Sequence, residues 1–211
     1  TFSRYNYIIG LMKNEIYQNC YTACNYDGVP IARAFILKLS EKRTFLVTAG
    51  HVAFDSRTRD VRKLTFVNDE EQQLNIPRGL AFNRIPKRDI AFVQLDAPTG
   101  LSMARTIDLD ETLTIPGSNR FSSSVMRQDN HFLFNLFFAS LTTQIGDSNL
   151  LETKKIREIP MTPKNEHDVN KPGMSGAPLL GKDGVVGIVV GCLGERVGIS
   201  ESVGNLLSLS K

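Results

Sequence analysis

The stretch Asn170-Lys171-Pro172-Gly173-Met174-Ser175-Gly176-Ala177-Pro178 decides how this chain is read. A serine lies in a glycine-rich loop, followed by Leu179-Leu180 and then by the apolar run Val185-Val186-Gly187-Ile188-Val189-Val190-Gly191. Glycines on both sides let the backbone turn sharply and approach a ligand closely. A nucleophile loop needs this, because main-chain N–H groups beside the serine must point at a developing oxyanion. The same residues also fit a plain Gly/Pro turn between two strands, with an incidental serine. The two readings part on whether the chain supplies partners for Ser175.

Working outward, the residues before this loop alternate between short apolar runs and turn residues. Ile31–Leu39 reads as a strand, Ser40 to Arg43 as a polar turn and Thr44–Ala49 as a second strand, together a hairpin. Lys63–Val67, Gln72–Ile76 and Asp89–Leu95 read as further strands of a small all-β barrel. Ala97 to Thr112 is polar and reads as a connection. A second series follows at Leu113–Ile115, Ser122–Met126, Phe132–Phe138, Thr142–Ile145 and Arg157–Pro160, completed by the two runs flanking Ser175. Thr162 to Asn170 reads as a surface loop, and the tail from Glu201 to Leu209 as a closing strand or a short helix. Ahead of both series, Tyr5, Ile9, Met12 and Ile16 recur at helical spacing, with Ser3 as a candidate N-cap. This predicts an amphipathic packing helix, interrupted by Gly10.

Composition narrows the function classes. A chain of 211 residues with 41% hydrophobic and 22% charged residues is an ordinary globular composition, enough for one large domain or two small ones. The net charge of +3 is too small to argue for nucleic acid by itself. The basic run Arg57, Arg59, Arg62 and Lys63 offers an RNA-binding surface or, more commonly, a solvated loop. No apolar run has the length to span a bilayer, and the first residues do not read as a signal peptide. Cys20, Cys24 and Cys192 form no disulfide framework, and neither they nor His51, His131 and His167 show zinc-ligand spacing. A Cys20–Cys24 bridge is open; free thiols in a reducing compartment are the expectation. No metal and no cofactor is expected.

Two further blocks complete a constellation. Thr48-Ala49-Gly50-His51 places a histidine just after an apolar strand, and Asp89-Ile90-Ala91 places an aspartate at the head of another. Asp55, Asp60 and Asp69 compete for the second role, but none heads a comparable apolar strand. With Ser175 the chain order is His, Asp, Ser across two β-rich halves.

On these three blocks, with Gly173-Met174-Ser175-Gly176-Ala177-Pro178 as the last, the chain resembles the chymotrypsin-like serine endopeptidases. The resemblance implies an all-β fold of two antiparallel β-barrels behind the N-terminal helix: residues 1–19 helical, 20–104 the first barrel, 105–211 the second. It implies His51 as general base, Asp89 as the carboxylate orienting it and Ser175 as nucleophile. The backbone N–H groups of Gly173 and Ser175 would form the oxyanion hole; losing one such donor typically costs about 3–4 kcal/mol of transition-state stabilisation. Val169, Val189, Val190 and Gly191 would line the substrate pocket, implying a small or apolar residue before the scissile bond and disfavouring Arg or Lys.

The chain also departs from secreted relatives. Met174 stands where they carry an aspartate that pairs with a freed N-terminus, and their bracing disulfides are missing. Both departures resemble the intracellular branches: bacterial trypsin-like proteases, or the main proteases of positive-strand RNA viruses, acting in the cytoplasm of a bacterium or of an infected host cell. The expected partner is a protein or polyprotein substrate. Oligomeric state, cleavage in cis or trans, and a protease-fold binding module with little activity all stay open.

Overall fold

The computed structural model describes residues 14–118, 120–121, 131–136, 150–164, 173–193 and 197–210. The expected helix is seen over 14–19 (α1), where Ile16 packs on the core; its earlier part lies outside the described residues, as do the expected strands at Ser122–Met126 and Thr142–Ile145.

The first half forms a seven-stranded sheet. Its path runs β4 (Thr65–Val67), β1 (Cys20–Cys24), β2 (Pro30–Ser40), β3 (Arg43–Ala49), β6 (Ile90–Leu95) and β5 (Asn83–Arg84), with β7 (Leu101–Ser102) added in parallel to β2. The expected hairpin is β2–β3, paired from Phe35↔Val47 outward. Gln72–Ile76 is not a strand. It contributes one isolated bridge, Val67↔Gln73, because Asn68 folds the chain back at once by accepting the backbone N–H groups of Glu70 and Gln72 at its side-chain oxygen. The segment 97–112, expected to be loop, holds two short strands: β7 and β8 (Thr106–Asp108). Strands of two or three residues are too short to show alternation.

In the second half β10 (His131–Leu136), β12 (Glu158–Pro163), β15 (Val197–Ser202), β14 (Gly184–Leu193), β13 (Pro178–Gly181) and β9 (Leu113–Pro116) close into a barrel. A small sheet pairs β8 with β11 (Leu150–Glu152). The tail forms both of its expected alternatives, β15 and then a 3-10 helix over Val203–Ser210.

Strand period explains how the halves pack. In β2, Ala32, Ala34 and Ile36 face the interior of the first sheet with Leu46 and Val93, whereas Phe35 and Leu37 face the other way. There they meet Phe45, Val47 and Ile90 of their own sheet, together with Val185 and Ile188 of β14 and Val203 and Leu206 of the tail. A strand buried on both faces reads as a near-continuous apolar run, as β2 does. The third cluster fills the closed barrel with Leu113, Ile115, Ile159, Met161, Leu179, Val186 and Val189. The chain is thus all-β around two curled sheets that share an apolar seam. Among the described residues no helix is long and apolar enough to cross a membrane.

Candidate active site

His51 lies in the one-turn helix α2 (Gly50–Ala53) that ends β3, and Asp89 directly precedes β6. These strands pair through Ala49↔Ile90, so the register alone sets the two residues side by side. The His51 ring nitrogen Nδ1 is 2.6 Å from Asp89 Oδ2, and the His51 backbone N–H donates to Asp89 Oδ1 at 2.8 Å. The Gly50 N–H donates to the Asp89 carbonyl at 2.9 Å. Glycine is needed at 50: a Cβ there would stand 2.7 Å from Asp89 Oδ1 and 3.2 Å from Arg84 Nε.

Burial alone would raise the Asp89 pKa. The hydrogen bonds from His51, with smaller help from the Arg84 charge, outweigh it and hold the carboxyl below its ordinary value. An ionised carboxylate only accepts, so Nδ1 carries a proton, and in the neutral ring this leaves the lone pair on Nε2. The His51 side chain is 45% exposed and that of Asp89 27%, which leaves the imidazole reachable and its partner more sheltered. Asp55 instead accepts the backbone N–H groups of Arg57 and Thr58, and Asp69 accepts the Ser118 hydroxyl. Neither bonds to His51.

Ser175 arrives from the second half. Its carbonyl accepts the Arg33 backbone N–H at 2.8 Å, docking the loop on β2. Thr48, three residues before His51, donates its hydroxyl to the Arg33 carbonyl at 2.7 Å. Gly176 has φ +84°, and a Cβ on it would overlap the Arg33 carbonyl oxygen and the Thr48 hydroxyl. The serine loop is therefore pressed against Arg33 of β2 and Thr48 of β3, the strand that leads into His51, at a distance only glycine permits. Ser175 Oγ and His51 are not hydrogen-bonded to each other in this conformation.

Gly173 adopts φ +96°, and a Cβ there would collide with the Phe121 ring. Met174 is buried in the closed-barrel core, against which Phe121 also packs. The loop is anchored by apolar contacts on the two residues before the serine. Among the described residues neither the Gly173 nor the Ser175 backbone N–H has a hydrogen-bond partner.

The expected pocket is only partly seen. Val169 lies outside the described residues. Val189 does not offer a wall: its side chain is in the barrel core, and its N–H and carbonyl are taken by Ala177 and Gly176. The β14–β15 register shifts between Val189 and Gly191, which turns Val190 toward the core of the first sheet. Among the described residues nothing comes within 4 Å of the position a Cβ on Gly191 would take. Cys20 and Cys24 are buried free thiols; burial pushes Cys20 up to about 12, so it is inert as a nucleophile.

Several site residues escaped the sequence reading. Arg33 is buried between the halves, its guanidinium donating to the carbonyls of Pro116 at 3.0 Å and Gly117 at 3.2 Å. A lone charge inside Ala32-Arg33-Ala34 was the available signal. Glu201 of β15 accepts the Asp89 backbone N–H at 3.3 Å, a link that local sequence does not announce.

No family model matches the chain, and no curated protein matches it by sequence. Solved structures do. The serine protease domain of the Sesbania mosaic virus polyprotein aligns at TM-score 0.55 and 15% identity, over 90% of this chain and 91% of that one. Kallikrein-related peptidase 10 aligns at 0.57 and 12%, over 94% and 95%. Neuropsin, a serine protease of mouse brain, aligns at 0.57 and 12%, over 94% of each chain. At such identities the likeness concerns the backbone, and the protein has the two-barrel, all-β fold of the chymotrypsin-like serine proteases.

Proposed function

We propose that the protein is a serine endopeptidase using Ser175, His51 and Asp89. The observation carrying this reading is the 2.6 Å bond between His51 Nδ1 and Asp89, beside a serine loop docked on the same strand system. His51 Nε2 takes the Ser175 proton as Oγ attacks the scissile carbonyl, and later returns it to the leaving amine. Asp89 fixes the tautomer and stabilises the imidazolium. The Gly173 and Ser175 N–H groups receive the oxyanion, and no cofactor enters the reaction. The backbone of Val190 and Gly191 remains as the pocket wall, with Val169 proposed as its floor, favouring a small or apolar residue before the cleaved bond. The substrate is a protein or polyprotein chain cut at specific sites.

The missing Ser175–His51 hydrogen bond favours a second reading, a protease-fold binding module with little activity. A fluorophosphonate probe separates the two: labelling confined to Ser175 and abolished in Ser175→Ala supports the enzyme, and an unlabelled folded protein supports the module. With a good peptide substrate, Ser175→Ala should lower turnover by about 10⁶-fold.

A further inference from the structure

Glu201 is a buried acid that the proposed reaction does not use. It is 5% exposed, and its Oε2 is buried without a hydrogen-bond partner among the described residues. Leaving a carboxyl oxygen unpaired in the interior is unfavourable, and an apolar residue of similar size would pack there without that loss. Yet its other oxygen, Oε1, accepts the backbone N–H of Asp89 across the seam. A second tie lies beside it, where Arg157 Nη2 reaches the Lys87 carbonyl at 3.5 Å. Both hold the turn that presents Asp89, and both come from strands of the closed barrel or the residue before one.

This placement matters because the proposed base and nucleophile ride on different sheets. His51 and Asp89 belong to the first, Ser175 to the loop leading into the second. Their separation therefore depends on how the two halves are keyed together near the site. An ångström of misplacement costs such reactions on the order of 10²-fold.

We propose that Glu201 is a positioning residue: its Oε1 keys the His51–Asp89 pair to the barrel that carries Ser175. The groups facing it are Asp89 at the head of β6 and Glu158, its register partner on β12, with Arg157 beside them. Burial foremost, then Glu158 and Asp89, push its carboxyl upward against the opposing Asp89 N–H and Arg157. Acceptance of a hydrogen bond, and not negative charge, is the property the site uses. An amide retains that property and a thioether loses it.

The inference rests on the protease reading, and the test separates the two. Fluorophosphonate labelling is followed across pH in wild type, Ser175→Ala, Glu201→Gln and Glu201→Met, fitting the maximal labelling rate and the half-saturating probe concentration. Glu201→Met should melt no lower than wild type yet label roughly tenfold more slowly at unchanged half-saturation. Glu201→Gln should label at the wild-type rate with its acid limb unshifted. A merely structural residue would move the melt and leave the rate alone. Wild-type rates in Glu201→Met overturn the proposal, as does a Gln variant that is as slow as Met. Should the Met variant not fold, Glu201→Gln decides alone, and slowing or a displaced acid limb sinks the idea. Failure of wild type to label removes the protease reading instead.

Discussion

Asp89 accepts two hydrogen bonds from one residue, the ring and the backbone N–H of His51, and so fixes both the position and the tautomer of the imidazole. Asparagine at this position presents an N–H₂ group to one of those donors and favours the wrong tautomer. Asp89→Asn should keep the fold, by circular dichroism and melting temperature, while kcat against a cleaved peptide falls by about 10⁴-fold. Gly176 is the other residue where geometry leaves no choice, since its φ of +84° and its contact with Arg33 both exclude a side chain. Gly176→Ala should lower stability by more than about 1 kcal/mol in urea unfolding and abolish probe labelling. Both residues were legible in the sequence, Asp89 from its place before an apolar strand and Gly176 from the loop pattern. Why Gly176 must be glycine was not, because the colliding atoms come from residues 33 and 48.

Among the elements, the loop before Ser175 shows how a short segment keeps its shape through packing. Met174 is 1% exposed, so its side chain belongs to the barrel core, and the Phe121 ring closes over Gly173. An aspartate in that place would be a buried charge without a partner. Met174→Asp should destabilise by about 3 kcal/mol or more, read from the urea midpoint, and a new N-terminus should not rescue labelling. The departure at Met174 was plain in the sequence; its apolar anchor needed Phe121, more than fifty residues earlier. Long strands such as β2 and β14 were equally plain. The brief β5, β7, β8 and β11 were not: β5 and β7 are defined by hydrogen bonds to the longer β6 and β2, and β8 and β11 by their bonds to each other, more than by any pattern of their own.

Across the whole molecule, two acids near the seam give the stability opposite pH dependences. The Asp89 pKa is depressed from 3.8, so its contribution is complete above the unfolded value and is lost as pH falls through the folded one. The Glu201 pKa is raised from 4.5, so its contribution is complete below the unfolded value and is lost as pH rises through the folded one. Urea midpoints measured against pH should therefore fall as pH drops below about 3.8, and Glu201→Gln should remove part of the decline that sets in above pH 4.5. An unchanged profile above pH 4.5 in that variant would contradict the assigned direction. Arg33 joins the halves at the same seam, with its backbone on Ser175 and its guanidinium on Pro116 and Gly117.

Sequence alone determined the all-β class, the long strands and the three blocks around His51, Asp89 and Ser175. Each rests on local information: period-two alternation, turn residues, and a glycine next to a chemically active side chain. Tertiary structure decided what joins those blocks. It set the His51–Asp89 bond through the β3–β6 register, docked the Ser175 loop on Arg33, drew Val189 into the core and brought Glu201 behind Asp89. Those contacts link residues far apart in the chain, and hydrogen bonds and close packing depend on distances in space that no spacing along the sequence encodes.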